Sequence, residues 1–267
     1  MAKWYQGTKA DATTRRIRAE KAVPFAEHGA QVIRRAGLIS AGLILAASGA
    51  AAASVQQVNH DELARILDAK IDFEGVDASP EPGREIDRLE VGAGAKIDSH
   101  LAGMERRITR LPDTANGGRH FHPTPNTAPG IPLRLAAEGT FVVAEHRGFG
   151  SSAAFPVGPD GAGKVSGRGE GMLTVLFDAD QYAVALRIHS DYPDPMGTRP
   201  PPGQVLIEFR ARDGRMIDMH RISLDRGVTE LGFRSPTRGM AAITISNTDP
   251  GGIAIDDIVF ALAPLTG

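Results

Sequence analysis

The chain contains no cysteine. No disulfide can staple it, and no thiol nucleophile is available. At 267 residues it is still long enough to bury a sizeable core without staples. Aromatic residues are scarce at 5%, and the single tryptophan is Trp4. Neither charge dominates: 30 Lys and Arg stand against 32 Asp and Glu, a net of −2. That excludes a general nucleic-acid binder, which neutralises phosphates with a large excess of cations. Also missing are a G-x-S-x-G nucleophile elbow, an internal repeat and any long amphipathic helix pattern. Gly (31) and Pro (18) are plentiful, enough for a loop-rich globular fold and too few for a low-complexity chain.

The near-neutral total hides an uneven distribution. Residues 1–35 carry eight basic side chains, Arg15, Arg16, Arg34 and Arg35 among them, against three acidic ones. Residues 36–55 then hold no ionisable group, and Gly37 to Ala47 is an apolar run of the length of a signal-peptide core. Ala51-Ala52-Ala53 fits an A-x-A cleavage site that leaves Ser54 as the first mature residue. The expectation is an exported protein, extracellular or periplasmic, with residues 1–53 as N-terminal extension and signal peptide and no membrane span in the mature chain. The alternative is an uncleaved anchor, although the run is mostly Ala, Gly and Ser, which contribute little transfer energy. Cleavage leaves 22 basic and 29 acidic side chains, a balance of −7, and no tryptophan.

Residues 54–70 form a helical lead-in to a domain over 71–267. Asn59 caps a helix running to Lys70, with Glu62 placed as in a capping box and Leu63, Ile66 and Leu67 as its apolar stripe. The period then changes to two at Ile71 and Phe73, ahead of a Gly/Pro loop. Leu111 to Pro132 reads as a long exposed loop. From Gly139 onward short apolar runs recur: Met172–Phe177, Tyr182–Ile188, Val205–Phe209, Val228–Phe233, Met240–Ser246 and Ile253–Leu262. Asp213-Gly214 lies between two of them and predicts a two-residue type I′ hairpin. The class is all-β, an antiparallel jelly-roll-like β-sandwich with a short N-terminal helix, preceded by a signal segment.

The last strand carries the most chemical information. Ile253 and Ile255 share one parity, Ile258 and Phe260 the other, so a core-facing strand must gain a residue at Asp256-Asp257 through a β-bulge. Two adjacent carboxylates repel unless compensated, and calcium is the natural partner for oxygen ligands in an exported protein. Asp178 and Asp180, after a strand, are weaker calcium candidates, because Asp at a strand end is usually turn chemistry.

Ile71-Asp72-Phe73-Glu74-Gly75 and Ile255-Asp256-Asp257-Ile258, the latter preceded by Asn247 to Ala254, resemble exported bacterial jelly-roll proteins of the PEP-CTERM-associated type, without the sorting tail. The same bracket is similar to MAM domains and to calcium-bearing carbohydrate-binding modules. The resemblance covers residues 70–262. It implies that the first and last strands are neighbours and that Glu74, Asp256 and Asp257 share a structural calcium ion.

His120 and His122 would lie on one side of an extended segment, and His100 or His146 would have to supply a third zinc ligand. Two histidines in such a loop are more often solvated. Gly158 to Val165 is a near miss to a phosphate loop, lacking both the Ser/Thr and the following helix, and is rejected. No pair of carboxylates stands out at a catalytic spacing, so the chain reads as non-enzymatic. The expected function is a calcium-stabilised extracellular binding or adhesion module for polysaccharide or envelope matrix. The alternatives are a self-associating surface or matrix component and a glycan-active hydrolase or lyase.

Overall fold

Two-residue periodicity and Gly-rich turns convert into sixteen strands, one short α-helix and one 3-10 turn (Val165–Gly167) in a computed structural model, which describes residues 54–78, 82–92, 94–111, 118–124, 130–194 and 197–262. The signal segment expected over 1–53 lies outside the described residues. In chain order the first elements are β1 (Gln56–Val58), α1 (His60–Ile66), β2 (Ala69–Ile71), β3 (Arg84–Ile86), β4 (Leu89–Val91), β5 (Ala95–Asp98), β6 (Arg106–Arg110) and β7 (Arg119–Pro123). The series continues with β8 (Phe141–His146), β9 (Ser151–Pro156), β10 (Met172–Gln181), β11 (Ala183–Ser190) and β12 (Gln204–Arg210). It ends with β13 (Met216–Ser223), β14 (Gly227–Arg234), β15 (Met240–Asn247) and β16 (Ala254–Phe260).

The strands form two main antiparallel sheets. The first has the order β1-β14-β11-β16-β9-β8-β3, with β2 also paired to β16, and the second the order β13-β12-β15-β10-β5-β4. Between them lies the main core, to which Phe141, Leu186 and Phe260 contribute from one sheet and Phe177, Phe209 and Ile243 from the other. Each is at most 1% exposed, and full burial of such a side chain contributes about 1.5–3 kcal/mol. The expected antiparallel β-sandwich is thus present. Among the described residues no helix is long and apolar enough to cross a membrane.

Several local expectations change. The helix is capped as predicted, Glu62 N donating to Asn59 Oδ1 at 3.0 Å, but it ends at Ile66, and Lys70 belongs to β2. Residues 54–71 are not merely a lead-in, since β1 and β2 hydrogen-bond into the first sheet. Phe73 leaves the strand at φ 58 and turns its ring into the core, 3% exposed. The Asp213-Gly214 turn is not type I′. Only Gly214 has positive φ, at 83°, and Ala211 pairs with Arg215, leaving a three-residue loop with its glycine in the left-handed position. A Cβ on Gly214 would lie 1.8 Å from the Ile131 carbonyl oxygen, a second reason for glycine there. The long loop expected over 111–132 contains β7, which pairs with β6 as a separate two-stranded ribbon.

The bulge in β16 stands where residue parity puts it. Arg187 pairs with Asp256 but Ala185 with Val259, so β16 gains one residue between them, and Asp257 takes φ 48. Ile255, Ile258 and Phe260 all reach the core as a result.

Candidate functional site

The β8–β9 hairpin builds the site because its two faces are unlike. Val143 and Ala154 pair on the core face, while Val142 with Phe155 and His146 with Ser151 pair on the opposite, outer face. Ala162, from the loop between β9 and β10, packs over Val142 and Ala144 and covers one part of this outer face. The near-phosphate-loop residues thus serve as a packed turn.

The remainder of the face is a cluster of rings. His146 meets His189 of β11 edge-on at 4.5 Å between centroids, and both approach Tyr192, at 5.9 and 5.1 Å. Phe155 stands 6.1 Å from Tyr192, and Phe149 stands 4.8 Å from His146 with the Arg187 guanidinium 5.1 Å above its ring. Phe149 N donates to His146 Nδ1 at 3.1 Å, which makes that nitrogen the acceptor. Nε2 of the neutral ring therefore carries the proton and donates to the Tyr192 hydroxyl at 2.5 Å. Burial, and secondarily the His189 charge, push the His146 pKa down to about 4, so this tautomer persists at neutral pH.

Beside the rings opens a cleft of about 1220 Å³, walled by the Glu74–Ala78 loop and by the end of the β8–β9 hairpin. Phe155 and Tyr192 line it as half-buried rings, and Glu74, Glu145, Ser151 and Ser152 add polar groups. Glu74 fastens the loop to the hairpin, its Oε1 accepting from Ser152 N at 2.7 Å.

The three carboxylates expected to share calcium divide into two settings. Asp256 is fully buried; Ser151 Oγ donates to its Oδ2 at 2.6 Å, and Oδ1 has no hydrogen-bond partner among the described residues. Burial raises its pKa to about 6, against the lowering effect of the Ser151 hydrogen bond. Glu74 reaches the same strand end through the next residue, Ser152. Asp257 is turned elsewhere, bonded to Arg187 Nη1 at 2.7 Å and Lys70 Nζ at 2.9 Å. Burial pushes its carboxyl up, but those two hydrogen bonds outweigh it and hold the pKa below the usual carboxylate range. Among the described residues, ligand atoms of three candidate metal-binding groups lie within 4.8 Å of one another only at His60, Asp61 and Glu230. Asp178 and Asp180 sit within β10 rather than after it, and Asp180 pairs with Arg212 at 2.8 Å.

The histidines are buried, not solvated. His120 is 0% and His122 7% exposed, and burial pushes their pKa values to about 3 and about 4. His100 is bonded to Ser99 Oγ at 2.7 Å, and among the described residues the three do not gather as metal ligands. The ring cluster around His146 is what sequence reasoning missed, since His146 enters there only as a possible third zinc ligand. Its only local signal is the alternation of Val142, Ala144 and His146 on a second apolar face.

No protein-family model matches the sequence, and no curated protein matches it. Among solved structures, the chain is similar to the C-terminal family 22 carbohydrate-binding module of Clostridium thermocellum Xyn10B at 13% identity. The match covers 75% of this chain and 97% of that one, with a TM-score of 0.24, too low for the likeness to carry an argument.

Proposed function

We propose that the chain is an exported, non-catalytic β-sandwich that binds polysaccharide in the cleft between the Glu74–Ala78 loop and the β8–β9 hairpin. One observation carries this reading: half-buried Phe155 and Tyr192 rings line the same cleft as carboxylate and hydroxyl groups. Sugars need that combination, because a pyranose offers C–H groups to an aromatic face and hydroxyls to hydrogen-bonding partners. The His146–Tyr192 bond and the ring packing around it hold the platform in place before ligand arrives, which lowers the ordering cost of binding. Affinity electrophoresis of the purified protein through gels containing neutral polysaccharides tests this. Retardation that is lost in Tyr192→Ala with an unchanged melting temperature supports it; no retardation by any of a panel of plant and bacterial glycans overturns it.

Calcium belongs to the same proposal. Asp256 offers a buried oxygen without a hydrogen bond, and Glu74 lies at the same strand end, so a hard cation there would satisfy the one and tether the loop carrying the other. Asp257, saturated by Lys70 and Arg187, stands outside that pair. A chelator should lower the melting temperature and calcium restore it; no shift, with no metal in the purified protein, would end this part. The second reading, a glycan-active enzyme, rests on Glu74 and Glu145 lining one cleft. Release of reducing ends from a bound glycan, abolished in Glu145→Gln, would favour it.

A further inference from the structure

A second groove lies on the other sheet, away from the cleft, and its chemistry is different. Its floor is the outer face of β12 and β13, where Leu206 pairs with Arg221 and Glu208 with Met219. The β6–β7 ribbon forms one wall, placing Arg107 opposite His122. The space between is about 490 Å³, within the ~300–1,000 Å³ typical of small-ligand sites.

Among the described residues the groove is lined by arginine and by no lysine. One carboxylate among the described residues lines it, and it is already spent: Glu208 Oε2 pairs with Arg210 Nη2 at 2.8 Å, both side chains 7% exposed. Arg107 and Arg221 have no carboxylate partner among the described residues, and Arg215 has only a loose, exposed one in Asp213 at 3.8 Å. His122, 7% exposed, faces this space with Nε2 unpartnered, its Nδ1 3.5 Å from Ser246 Oγ. Arg107 and Arg221 line the same groove as His122, and after burial their charges help to push its pKa down to about 4. This positive concentration stands in a domain whose total over residues 54–267 is negative.

Guanidinium forks suit planar or tetrahedral oxyanions, which they bind bidentately. Beside them Met216 and Met219, each 46% exposed, offer apolar surface for the C–H faces of a ring. Among the described residues no Phe, Tyr or Trp lines the groove, so it lacks the stacking platform that single-stranded nucleic acid uses. We infer that this groove binds an acidic polysaccharide, seating the carboxylate or sulfate groups of its sugars between Arg107 and Arg221. The site is independent of the cleft on the first sheet and does not rest on the function proposed for it.

The test uses the full chain and its Arg107→Gln/Arg221→Gln variant. Titration calorimetry against polygalacturonate and against chondroitin sulfate separates carboxylate from sulfate as the recognised group. The expected result is binding to at least one, weakening as salt rises and reduced at least tenfold in the variant, whose melting temperature and retardation by neutral glycan stay those of the wild type. Absence of binding to both polymers at low salt overturns the inference, as does equal affinity of wild type and variant. Tighter binding of oligodeoxythymidylate, lost in the same variant, also overturns it in favour of nucleic acid. Failure of neutral-glycan retardation alone bears only on the cleft.

Discussion

Replacing Asp256 with Asn isolates the electrostatic cost of the buried carboxylate. In the folded chain its pKa is raised from an ordinary 3.8 to about 6. Below 3.8 the group is protonated in both folded and unfolded states and costs nothing. Between the two values the unfolded chain releases the proton while the folded chain keeps it, so stability falls as pH rises. Above about 6 the full gap applies, about 3 kcal/mol at roughly 1.4 kcal/mol per pH unit. Asn keeps the shape and an oxygen for Ser151 Oγ but does not ionise. In calcium-free buffer the Asn variant should therefore match the wild type near pH 4 and exceed it at pH 7 by up to about 3 kcal/mol. That is roughly 6–12 °C in melting temperature for a domain of this size. Comparing the two proteins cancels the titration of every other group. Urea unfolding followed by far-ultraviolet circular dichroism is the assay, because the only tryptophan, Trp4, is not among the described residues. Added calcium should reverse the order by favouring the charged carboxylate. A difference that stays flat from pH 4 to pH 7 without calcium, or an Asn variant weaker at pH 7 than at pH 4, would refute the reasoning.

The buried histidines act with the opposite sign. His100, His122 and His146 are held neutral down to about 4 and His120 down to about 3, whereas the unfolded chain protonates them near 6.5. Stability is complete above 6.5 and is lost as pH falls toward 4, so the urea midpoint should fall as pH is lowered through that window; a midpoint unchanged between pH 7 and pH 4 counts against their burial. Phe177→Ala should cost about 3–5 kcal/mol by leaving a cavity between the sheets, measured by urea denaturation, and a loss below about 1 kcal/mol would place the ring outside the core. Gly214→Ala forces a side chain into positive φ against the Ile131 carbonyl and should destabilise by about 1–3 kcal/mol, which thermal melts would reveal.

Residue order alone determined what depends on local period and parity. The alternation of β11 and β12, the Asn59 cap and the extra residue at Asp257 are all legible there. In a strand buried on one face, a parity change leaves no solution other than a bulge. Tertiary structure decided which distant groups meet. His146 and Tyr192 are 46 positions apart and touch only because β8 and β11 both flank the strands at the centre of one sheet. Asp256 and Asp257 are neighbours in sequence, yet the bulge sends one into a buried site beside Ser151 and the other to Lys70 and Arg187. The arginine groove is likewise assembled from two hairpins on different sheets. The absence of cysteine excluded disulfide staples. Which groups replace them was set by long-range pairing, whose energy depends on burial and on charges that no local window contains.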